Sequence, residues 1–418
     1  MALDRMINTA RFGAGKIREV YAVEGVSGVV RRTRNWRRKK RAAAAAPSRL
    51  VTGPLPKPPR WHRHVLSVAE SSLPQCYHYR VDQKRAICAH LGIPFDDVPC
   101  HDVEEAISRL QLASILLVYR LPADPALQRI VAEAHRLRVP VVYEVDDLIY
   151  RREVTQANPN LNTLPKSLRA AVIHGSDGYR DGLALASFNL ASTQALADDM
   201  TKVNHRPGFV IENGIDTVML EIAEGLELEP RSDPTRDCVV SYGSGSRAHD
   251  HDFALVAPAL ASWLGQTPHG RLKLIGPVRV PEVLLPFEDR IDRNSQTLAY
   301  GEYLRELHSS TITLAPLTND EFNAYKSQVK YLEAALVGVP LIASPMVYAN
   351  YVEDGRTGYI AHDTKAWLNA LGLLTDDPQR RRSTAMAARE HVRQWELPNR
   401  PAEQMSALIA AMSEPAGV

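Results

Sequence analysis

The chain has 418 residues, more than one ordinary hydrophobic core holds, so its length predicts two domains. Its composition is 45% hydrophobic and 23% charged with a net charge of +2, as in a globular protein, and no apolar run is long enough to span a bilayer. The four cysteines, Cys76, Cys88, Cys100 and Cys238, lack C-x-x-C spacing, which argues against a zinc site and a disulfide scaffold and favours a reducing cytoplasm.

Residues 1–60 are a basic N-terminal arm that ends in a proline-rich linker. They hold 15 Lys and Arg residues against 3 Asp and Glu, a charge of +12, whereas the remainder holds 35 against 45, a charge of −10. The arm lacks the apolar region and cleavage site of a secretory signal. It is interpreted as a solvated arm, a segment that docks on anionic lipid headgroups, or a nucleic-acid binder. We expect no nucleic-acid partner, because no aromatic interleaving or recognition-helix pattern is present.

From residue 61 to residue 205, strand-like apolar runs alternate with amphipathic patterns, which predicts an N-terminal Rossmann-like domain. An interdomain linker is predicted at 206–236. The predicted strands are 64–70, 114–121, 139–150 and a segment starting at Phe188, and the predicted helices are 82–92, 101–110, 125–138 and a segment capped by Ser192 or Thr193.

A second alternating series, at 237–385, predicts a C-terminal Rossmann-like domain. The predicted strands start at Cys238 and cover 271–277, 311–317, 340–345 and 358–361, and the predicted helices start near Asp250, cover 322–340, and run from about Pro378 onward. Residues 386–418 are predicted to be a C-terminal helix that returns to the N-terminal domain. The expected fold class is α/β, with two doubly wound domains whose parallel sheets face a central cleft and bind ligands at their carboxyl ends.

The segment YGSGSRAHDHDF follows the strand that starts at Cys238. Gly243 and Gly245 allow close approach of a backbone to a ligand, and Arg247 and His249 precede a helix N-terminus, which favours phosphate. Gly243, Gly245 and Ala248 also satisfy the dinucleotide pattern G-x-G-x-x-A, but the next strand supplies no acidic residue for a ribose. The segment therefore predicts phosphate binding without a complete NAD site. The alternative is a structural turn.

Three carboxylates crowd the end of the strand in YEVDDLIY. Because Glu144, Asp146 and Asp147 repel one another, their arrangement destabilises the fold unless something compensates. Metal binding, acid–base chemistry and hydroxyl recognition are all compatible with this pattern. The alternative is that Asp146 or Asp147 caps a following helix.

The predicted helix at 322–340 carries a charged stripe. Lys326, Lys330 and Glu333 stand at i, i+4 and i+7 and so share one face. Lys326 and Ser327 lie near the positive end of the helix dipole and could hold phosphate oxygens. Glu333 lies roughly 10 Å further along the axis at a rise of ~1.5 Å per residue, the reach from a diphosphate to a ribose diol. The alternative is a solvated face.

Several segments occur in the order found in one known family. They are VVYEVDDLI, VIENGID, YGSGSRAHDHDF, LAPL with FNAYKSQVKYLEAALVGVPLIAS, and VEDGRTGYIA. On these residues the stretch 64–395 resembles the retaining, nucleotide-sugar-dependent glycosyltransferases of the GT-B fold, in particular the bacterial group 1 family. The resemblance implies a GT-B fold whose second domain binds the sugar nucleotide and whose first domain, residues 61–205, binds the acceptor.

The resemblance also implies roles for site residues. Glu333 occupies the place of the family's ribose-binding glutamate, and Tyr325 stands where many members carry a first glutamate that touches the donor sugar. The helix is more similar to a subgroup with KS-x-x-K-x-x-E. The residues implied to neutralise the donor diphosphate are Gly243, Gly245, Arg247, His249, Lys326 and Ser327.

The implied activity is transfer of a sugar from a nucleotide-diphosphate donor to a hydroxyl of a saccharide or lipid-linked acceptor, with retention and without a metal or other cofactor. Asp146 and Asp147 are the catalytic candidates, and Glu144 and Tyr325 are candidate contacts of the acceptor or donor sugar. A role in bacterial surface polysaccharide or glycolipid synthesis, in the cytoplasm or at the inner face of the cytoplasmic membrane, is expected. The alternatives are a nucleotide-sugar epimerase of the same fold, a nicotinamide-dependent dehydrogenase and a non-catalytic binding subunit.

Overall fold

The computed structural model describes residues 63–226, 238–245, 249–296 and 298–413. The basic arm at 1–60 and Arg247 lie outside the described residues, so the expectations for them stay predictions. Within the described ranges, no helix combines the length and the apolar character needed to cross a membrane.

The first sheet has six strands, and every neighbouring pair is parallel. The strands are β1 (Val65–Ala69), β2 (Phe95–Pro99), β3 (Ile115–Tyr119), β4 (Val141–Val145), β5 (Phe188–Ala191) and β6 (Gly208–Val210), in the order β2-β1-β3-β4-β5-β6. The central strands β1, β3 and β4 are buried along their whole length, as expected for parallel strands covered on both faces. The sequence did not predict the edge strands β2 and β6, because one is polar and the other has only three residues.

The helices around this sheet pack its apolar faces. They are α1 (Gln83–His90), α2 (Val103–Leu110), α3 (Pro125–Leu137), α4 (Arg152–Ala157), α5 (Lys166–Ala184), α6 (Gln194–Asn204) and, from the end of the chain, α14 (Arg400–Ser413). The helical turns Pro74–Tyr77 and His78–Asp82 lead into α1. Leu408 and Ile409 of α14 share one buried cluster with Ile87 of α1 and Ile115 of β3.

The second sheet also has six strands with parallel neighbours only. The strands are β7 (Cys238–Gly243), β8 (Gly270–Ile275), β9 (Ile291–Asn294), β10 (Ile312–Ala315), β11 (Leu341–Ala343) and β12 (Tyr359–Ile360), in the order β12-β11-β10-β7-β8-β9. Its core contains two fully buried tryptophans, Trp263 and Trp367, packed with aliphatic side chains of the sheet.

Helices of this part of the chain follow the strands in turn. They are α7 (Thr217–Glu224), α8 (Asp250–Gln266), α9 (Tyr300–His308), α10 (Val329–Leu336), α11 (Pro345–Tyr348), α12 (Thr364–Asp376) and α13 (Pro378–His391), with 3₁₀ segments at Pro159–Thr163, Glu282–Arg290, Asn323–Tyr325 and Val392–Trp395.

The prediction of one continuous helix from about Pro378 into the C-terminal region is wrong. α13 ends at His391, a 3₁₀ turn covers Val392–Trp395, and α14 begins at Arg400. Pro398 disfavours a helical conformation at Leu397, so a continuous helix cannot run through this stretch. Pro401 is tolerated because it stands in the first turn of α14, where its missing N–H has no helical partner.

The chain divides into two compact units. The first contains the residues up to Ala157, Pro165–Gly214 and the residues from Leu397 onward, and the second contains Asn158–Leu164 and Ile215–Glu396. The α/β architecture predicted from the alternation of strands and helices, with two parallel sheets, is confirmed. β6 lies in the range that the sequence assigned to the linker.

Each sheet has one point where the connections change direction. In the second sheet, the chain runs outward from β7 through β8 to β9 on one side, and from β10 through β11 to β12 on the other side. β7 and β10 are neighbours at the centre. In the first sheet, β1 and β3 are related in the same way. Crevices outside the carboxyl ends of such strand pairs are where open α/β sheets bind ligands. The two strand pairs therefore locate one candidate site in each unit.

Candidate functional site

At the carboxyl end of β7, a glycine allows an unusually close contact. A Cβ atom on Gly243 would lie 2.9 Å from Cε2 of Tyr303, which belongs to α9. The Gly243 carbonyl accepts a hydrogen bond from Nζ of Lys330 on α10. That ammonium group also lies 5.1 Å from the ring centroid of Tyr242. The strand end is thus held between two helices by a cation and an aromatic ring.

The structure corrects the predicted helix at 322–340. α10 begins only at Val329, with Gln328 as its N-cap, and Lys326 has the extended angles φ −66° and ψ 158°. Lys326 and Ser327 therefore precede the helix, and the axial spacing expected between them and Glu333 does not apply. The side-chain amide of the buried Asn323 is bound inside the loop that precedes the 3₁₀ turn, which fixes the chain before it reaches α10.

The charged residues that do lie on α10 do not form a solvated face. Glu333 is 1% exposed, and its Oε2 accepts a hydrogen bond of 3.0 Å from the hydroxyl of Tyr303. Burial lowers the pKa of Lys330, although the carboxylates of Glu333 and Asp252 oppose this effect. The solvated-face interpretation is wrong for Lys330 and Glu333, because both side chains are directed at the end of β7 and at α9.

A buried carboxylate that the sequence analysis missed organises the start of α8. Oδ1 of Asp252 accepts hydrogen bonds from the backbone N of Thr318 at 3.0 Å, the Thr318 hydroxyl at 2.8 Å and Nδ2 of Asn323 at 2.8 Å. Its Oδ2 lies 2.9 Å from Nδ1 of His249. Asp252 therefore connects the loop after β10 with the loop after β7. The signal in the sequence was its spacing of three from His249.

The remaining predicted residues of this unit lie in the same loops. Gly245 is exposed just beyond β7. Tyr325, Lys326 and Ser327 are half-buried between the 3₁₀ turn and α10. The Lys326 ammonium group lies 4.7 Å from the ring centroid of Phe322. The structure thus gathers these residues around the carboxyl ends of β7 and β10, where the strand order predicts a ligand.

In the first unit, Glu144 cannot serve as the predicted sugar contact. Its side chain is fully buried, and Oε1 accepts hydrogen bonds from Nε of Arg80 at 2.5 Å and Nζ of Lys84 at 2.7 Å. Arg80 in turn donates to the carbonyl of Ile211 and to Oδ1 of Asn213. Glu144 is a structural counter-ion for two buried cations, which also explains how the fold tolerates the crowded carboxylates.

Asp146 is compensated by a different cation. Its Oδ1 lies 2.6 Å from NH1 of Arg120, and Oδ2 of Asp147 lies 3.7 Å from the same atom. Burial opposes ionisation of Asp146, but the guanidinium groups of Arg120 and Arg80 outweigh it and lower its pKa. Arg120 adopts a left-handed conformation with φ 54°, a strained position for a residue other than glycine. Since α4 begins only at Arg152, neither aspartate caps a helix.

The pKa of Lys84 is lowered to about 7 by burial and by Arg80, against the opposing effect of Glu144. Between pH 7 and the ordinary lysine pKa of 10.5, Lys84 is therefore protonated in the unfolded chain but deprotonated in the folded chain. We expect the free energy of unfolding to rise with pH in this window, by at most ~1.4 kcal/mol per pH unit. Urea unfolding at several pH values should show that the free energy of unfolding rises less with pH in Lys84→Met than in the wild type. Equal slopes for both proteins would contradict the assignment.

Gly243→Ala is expected to destabilise the second unit by about 1–3 kcal/mol, because the added methyl group collides with the Tyr303 ring in a packed interior. The displaced ring should also lose its bond to Glu333. Thermal unfolding measures the loss of stability. Gly372→Ala is the matched control, because its new Cβ meets nothing within 4 Å and alanine favours the helix. Equal stability of the two variants would refute the close contact.

Within the described residues, no group of three or more His, Cys, Asp and Glu side chains is placed to hold a metal ion. The thiol of Cys76, next to Asp146, has its pKa raised to about 12 by burial and by that carboxylate. It therefore stays protonated and is a poor nucleophile or metal ligand.

Residues 255–407 match the family model described as Glycosyl transferase-like. No curated protein sequence matches the chain significantly. The fold is similar to that of Anabaena HepE, which was solved in complex with UDP and glucose and in complex with UDP-glucose. Each of the two comparisons has a TM-score of 0.55 and 16% identity, and covers 84% of this chain and 100% of HepE. It is also similar to sucrose-phosphate synthase from Thermosynechococcus elongatus, with a TM-score of 0.54 and 15% identity over 84% of this chain and 99% of the synthase.

These similarities show that the chain has the GT-B fold, as predicted. The family model covers β10, α10 and the loops between them, and so includes Thr318, Asn323, Lys330 and Glu333. The matched segment is thus similar to a glycosyl transferase-like domain.

Proposed function

We propose that the chain is a glycosyltransferase that moves a sugar from a nucleotide-diphosphate donor to a hydroxyl acceptor, with retention at the anomeric carbon. The observation that carries the proposal is the cluster at the ends of β7 and β10, where Lys330, Lys326 and the buried Glu333 surround a glycine-containing strand end. Cations beside a carboxylate match a ligand that carries both phosphates and a diol. The complex of HepE with UDP-glucose supports a nucleotide-sugar donor.

In this proposal, the leaving diphosphate is stabilised by groups that are positioned before the reaction. As the glycosidic bond breaks, negative charge develops on the diphosphate, and fixed cations and N–H groups lower the energy of that state. The backbone of Gly243 and Gly245, the side chains of Lys326 and Ser327 and, outside the described residues, Arg247 are assigned to it. Lys330 stabilises the same region through its bond to the Gly243 carbonyl and adds positive charge.

Glu333 is assigned to the ribose. Its Oε2 is bound by Tyr303, which fixes the carboxylate in one orientation. A carboxylate has about four acceptor positions, which suits it to the two hydroxyls of a cis-diol. Tyr325 is assigned to the donor sugar, because it lies in the same loop as Lys326.

Asp146 and Asp147 are assigned to the acceptor, in the first unit. Because Arg120 holds the pKa of Asp146 below its usual value, this carboxylate stays ionised and accepts a hydrogen bond from a hydroxyl. It therefore orients the acceptor and does not protonate a leaving group. This role agrees with the position of the aspartates beyond β4, next to the strand pair β1 and β3.

A panel of donors with radiolabelled sugars tests the proposed function. Saccharide and lipid-linked acceptors are supplied, and the products are separated and their anomeric configuration is read by NMR. We expect label in an elongated acceptor, with the donor's configuration retained. Label recovered only as an isomeric sugar nucleotide would favour an epimerase, and donor binding without any turnover would favour a non-catalytic subunit.

We further propose that residues 1–60 hold the protein against anionic lipid at the inner face of the cytoplasmic membrane, where surface polysaccharide or glycolipid acceptors are made. The support is the charge of +12 in this stretch, since each basic residue near such a surface adds about 1 kcal/mol. Sedimentation with phosphatidylserine vesicles should show binding that weakens as salt is added. Equal binding by a variant that lacks residues 1–60 would contradict this role.

A further inference from the structure

His249 and Asp252 form a pair at the start of α8. Nδ1 of His249 lies 2.9 Å from Oδ2 of Asp252. The Asp252 side chain is fully buried, whereas that of His249 is 26% exposed. One ring nitrogen is therefore committed to an internal carboxylate, while the ring still reaches the surface of the site.

The other contacts of Asp252 determine which atom of the pair carries the proton. The backbone N–H of Thr318 and the amide N–H of Asn323 only donate, so Oδ1 accepts from both. Burial raises the pKa of Asp252, but its bonds with His249 and Thr318 outweigh burial and lower it. An ionised Asp252 has no proton to share, so Nδ1 of His249 is the donor.

His249 itself is neutral. Burial lowers the pKa of its imidazole, the nearby ammonium groups of Lys326 and Lys330 lower it further, and only Asp252 opposes them. A neutral ring with its proton on Nδ1 has a lone pair on Nε2, and this atom accepts a hydrogen bond but donates none. An ionised diphosphate oxygen also only accepts, so it cannot bond to Nε2. A sugar hydroxyl donates and fits.

We propose that Nε2 of His249 accepts a hydrogen bond from a hydroxyl of the donor sugar, and that Asp252 is the positioning residue that fixes the ring tautomer. This inference rests on the proposed function and deepens it, because it makes the pair a determinant of sugar specificity. It also replaces the diphosphate role that the sequence analysis gave to His249. Lys326 keeps that role.

Calorimetric binding of UDP-glucose and of UDP separates the two roles. In His249→Ala, we expect UDP-glucose to bind about 3- to 10-fold more weakly, the loss of one hydrogen bond, while UDP binds as in the wild type. Lys326→Met is the matched control and should weaken both ligands. If His249→Ala weakens binding of UDP and of UDP-glucose equally, this inference is wrong, while the proposed function is unaffected. If the wild type binds no nucleotide of the donor panel, the proposed function fails and this inference fails with it.

The role of Asp252 is tested with Asp252→Asn, which has nearly the same shape. The new side-chain amide donates to Nδ1, so the ring proton should move to Nε2 and convert the acceptor into a donor. ¹⁵N NMR of histidine-labelled protein should show protonated Nδ1 at His249 in the wild type and protonated Nε2 in the variant. Binding of UDP-glucose should fall while binding of UDP stays unchanged. If Asp252→Asn does not fold, the wild-type spectrum still tests the proposal. A proton on Nε2 of His249 in the wild type would contradict the assignment of the ring proton to Nδ1.

Discussion

Glu333→Ala is expected to lower the rate of sugar transfer about 100-fold or more, because the proposed ribose contact consists of two charge-assisted hydrogen bonds at ~1.5–3 kcal/mol each, and the variant cannot form them. The loss should fall on donor binding, so KM for the donor should rise more than kcat falls. Steady-state kinetics over a range of donor concentrations measures both quantities. Glu333 is 1% exposed, so thermal unfolding must show that the variant is folded.

Tyr303→Phe is the matched control for Glu333→Ala. It removes only the hydroxyl that binds Oε2 and leaves the carboxylate in place. We expect the rate of sugar transfer to fall about tenfold, which is the effect of losing one hydrogen bond that orients the Glu333 carboxylate. If Glu333→Ala transfers sugar as fast as the wild type, the ribose assignment is wrong. If the two variants lose equal activity, the function of Glu333 is to hold Tyr303 rather than to bind the donor.

Below pH 7, where Lys84 is protonated, Glu144→Ala is expected to reduce the stability of the first unit by about 3–5 kcal/mol, because it leaves two buried cations without their counter-ion. Arg80 and Lys84 are each 1% exposed, and both bind Oε1 of Glu144. Denaturant unfolding measures the loss. Glu105→Ala is the matched control, since the pair of Glu105 with Arg109 is 45% and 44% exposed and should contribute little to stability.

The double variant Glu144→Ala with Lys84→Met separates the charge effect from the cavity. Removing the second buried cation should restore part of the lost stability, because only Arg80 then lacks a counter-ion. A double variant that is less stable than Glu144→Ala by the full effect of Lys84→Met alone would show that the two residues are not coupled.

The sequence predicted most of the parallel strands, because apolar runs such as Ile115–Tyr119 must be buried on both faces. It also predicted the carboxyl ends of β4, β7 and β10 as the places where chemistry gathers. It missed the edge strand β6, whose three residues carry too little pattern, and the 19-residue helix α5, whose polar and apolar residues are mixed.

The sequence could not predict which charged groups meet. Arg80 and Glu144 are 64 residues apart in the chain, and Asp252 and Asn323 are 71 apart, so no local spacing reveals either contact. The start of α10 was predicted too early, because the propensity of residues 323–328 permits a helix. The tertiary bonds of Asn323 then override that propensity. The roles of single side chains in the two sites could therefore be assigned only from the structure.

The position of α14 affects how the protein folds during synthesis. Met405, Leu408 and Ile409 complete the same core as Val65 and Ile115, although the whole of the second unit lies between them in the chain. At ~5–20 residues per second, a ribosome needs roughly 10–40 s to pass from Gly214 to Arg400. Throughout this interval, the apolar side chains that will contact α14 are uncovered in the nascent chain. The second unit is thus the first that can finish folding, and the first unit can complete its core only after α14 has been synthesised.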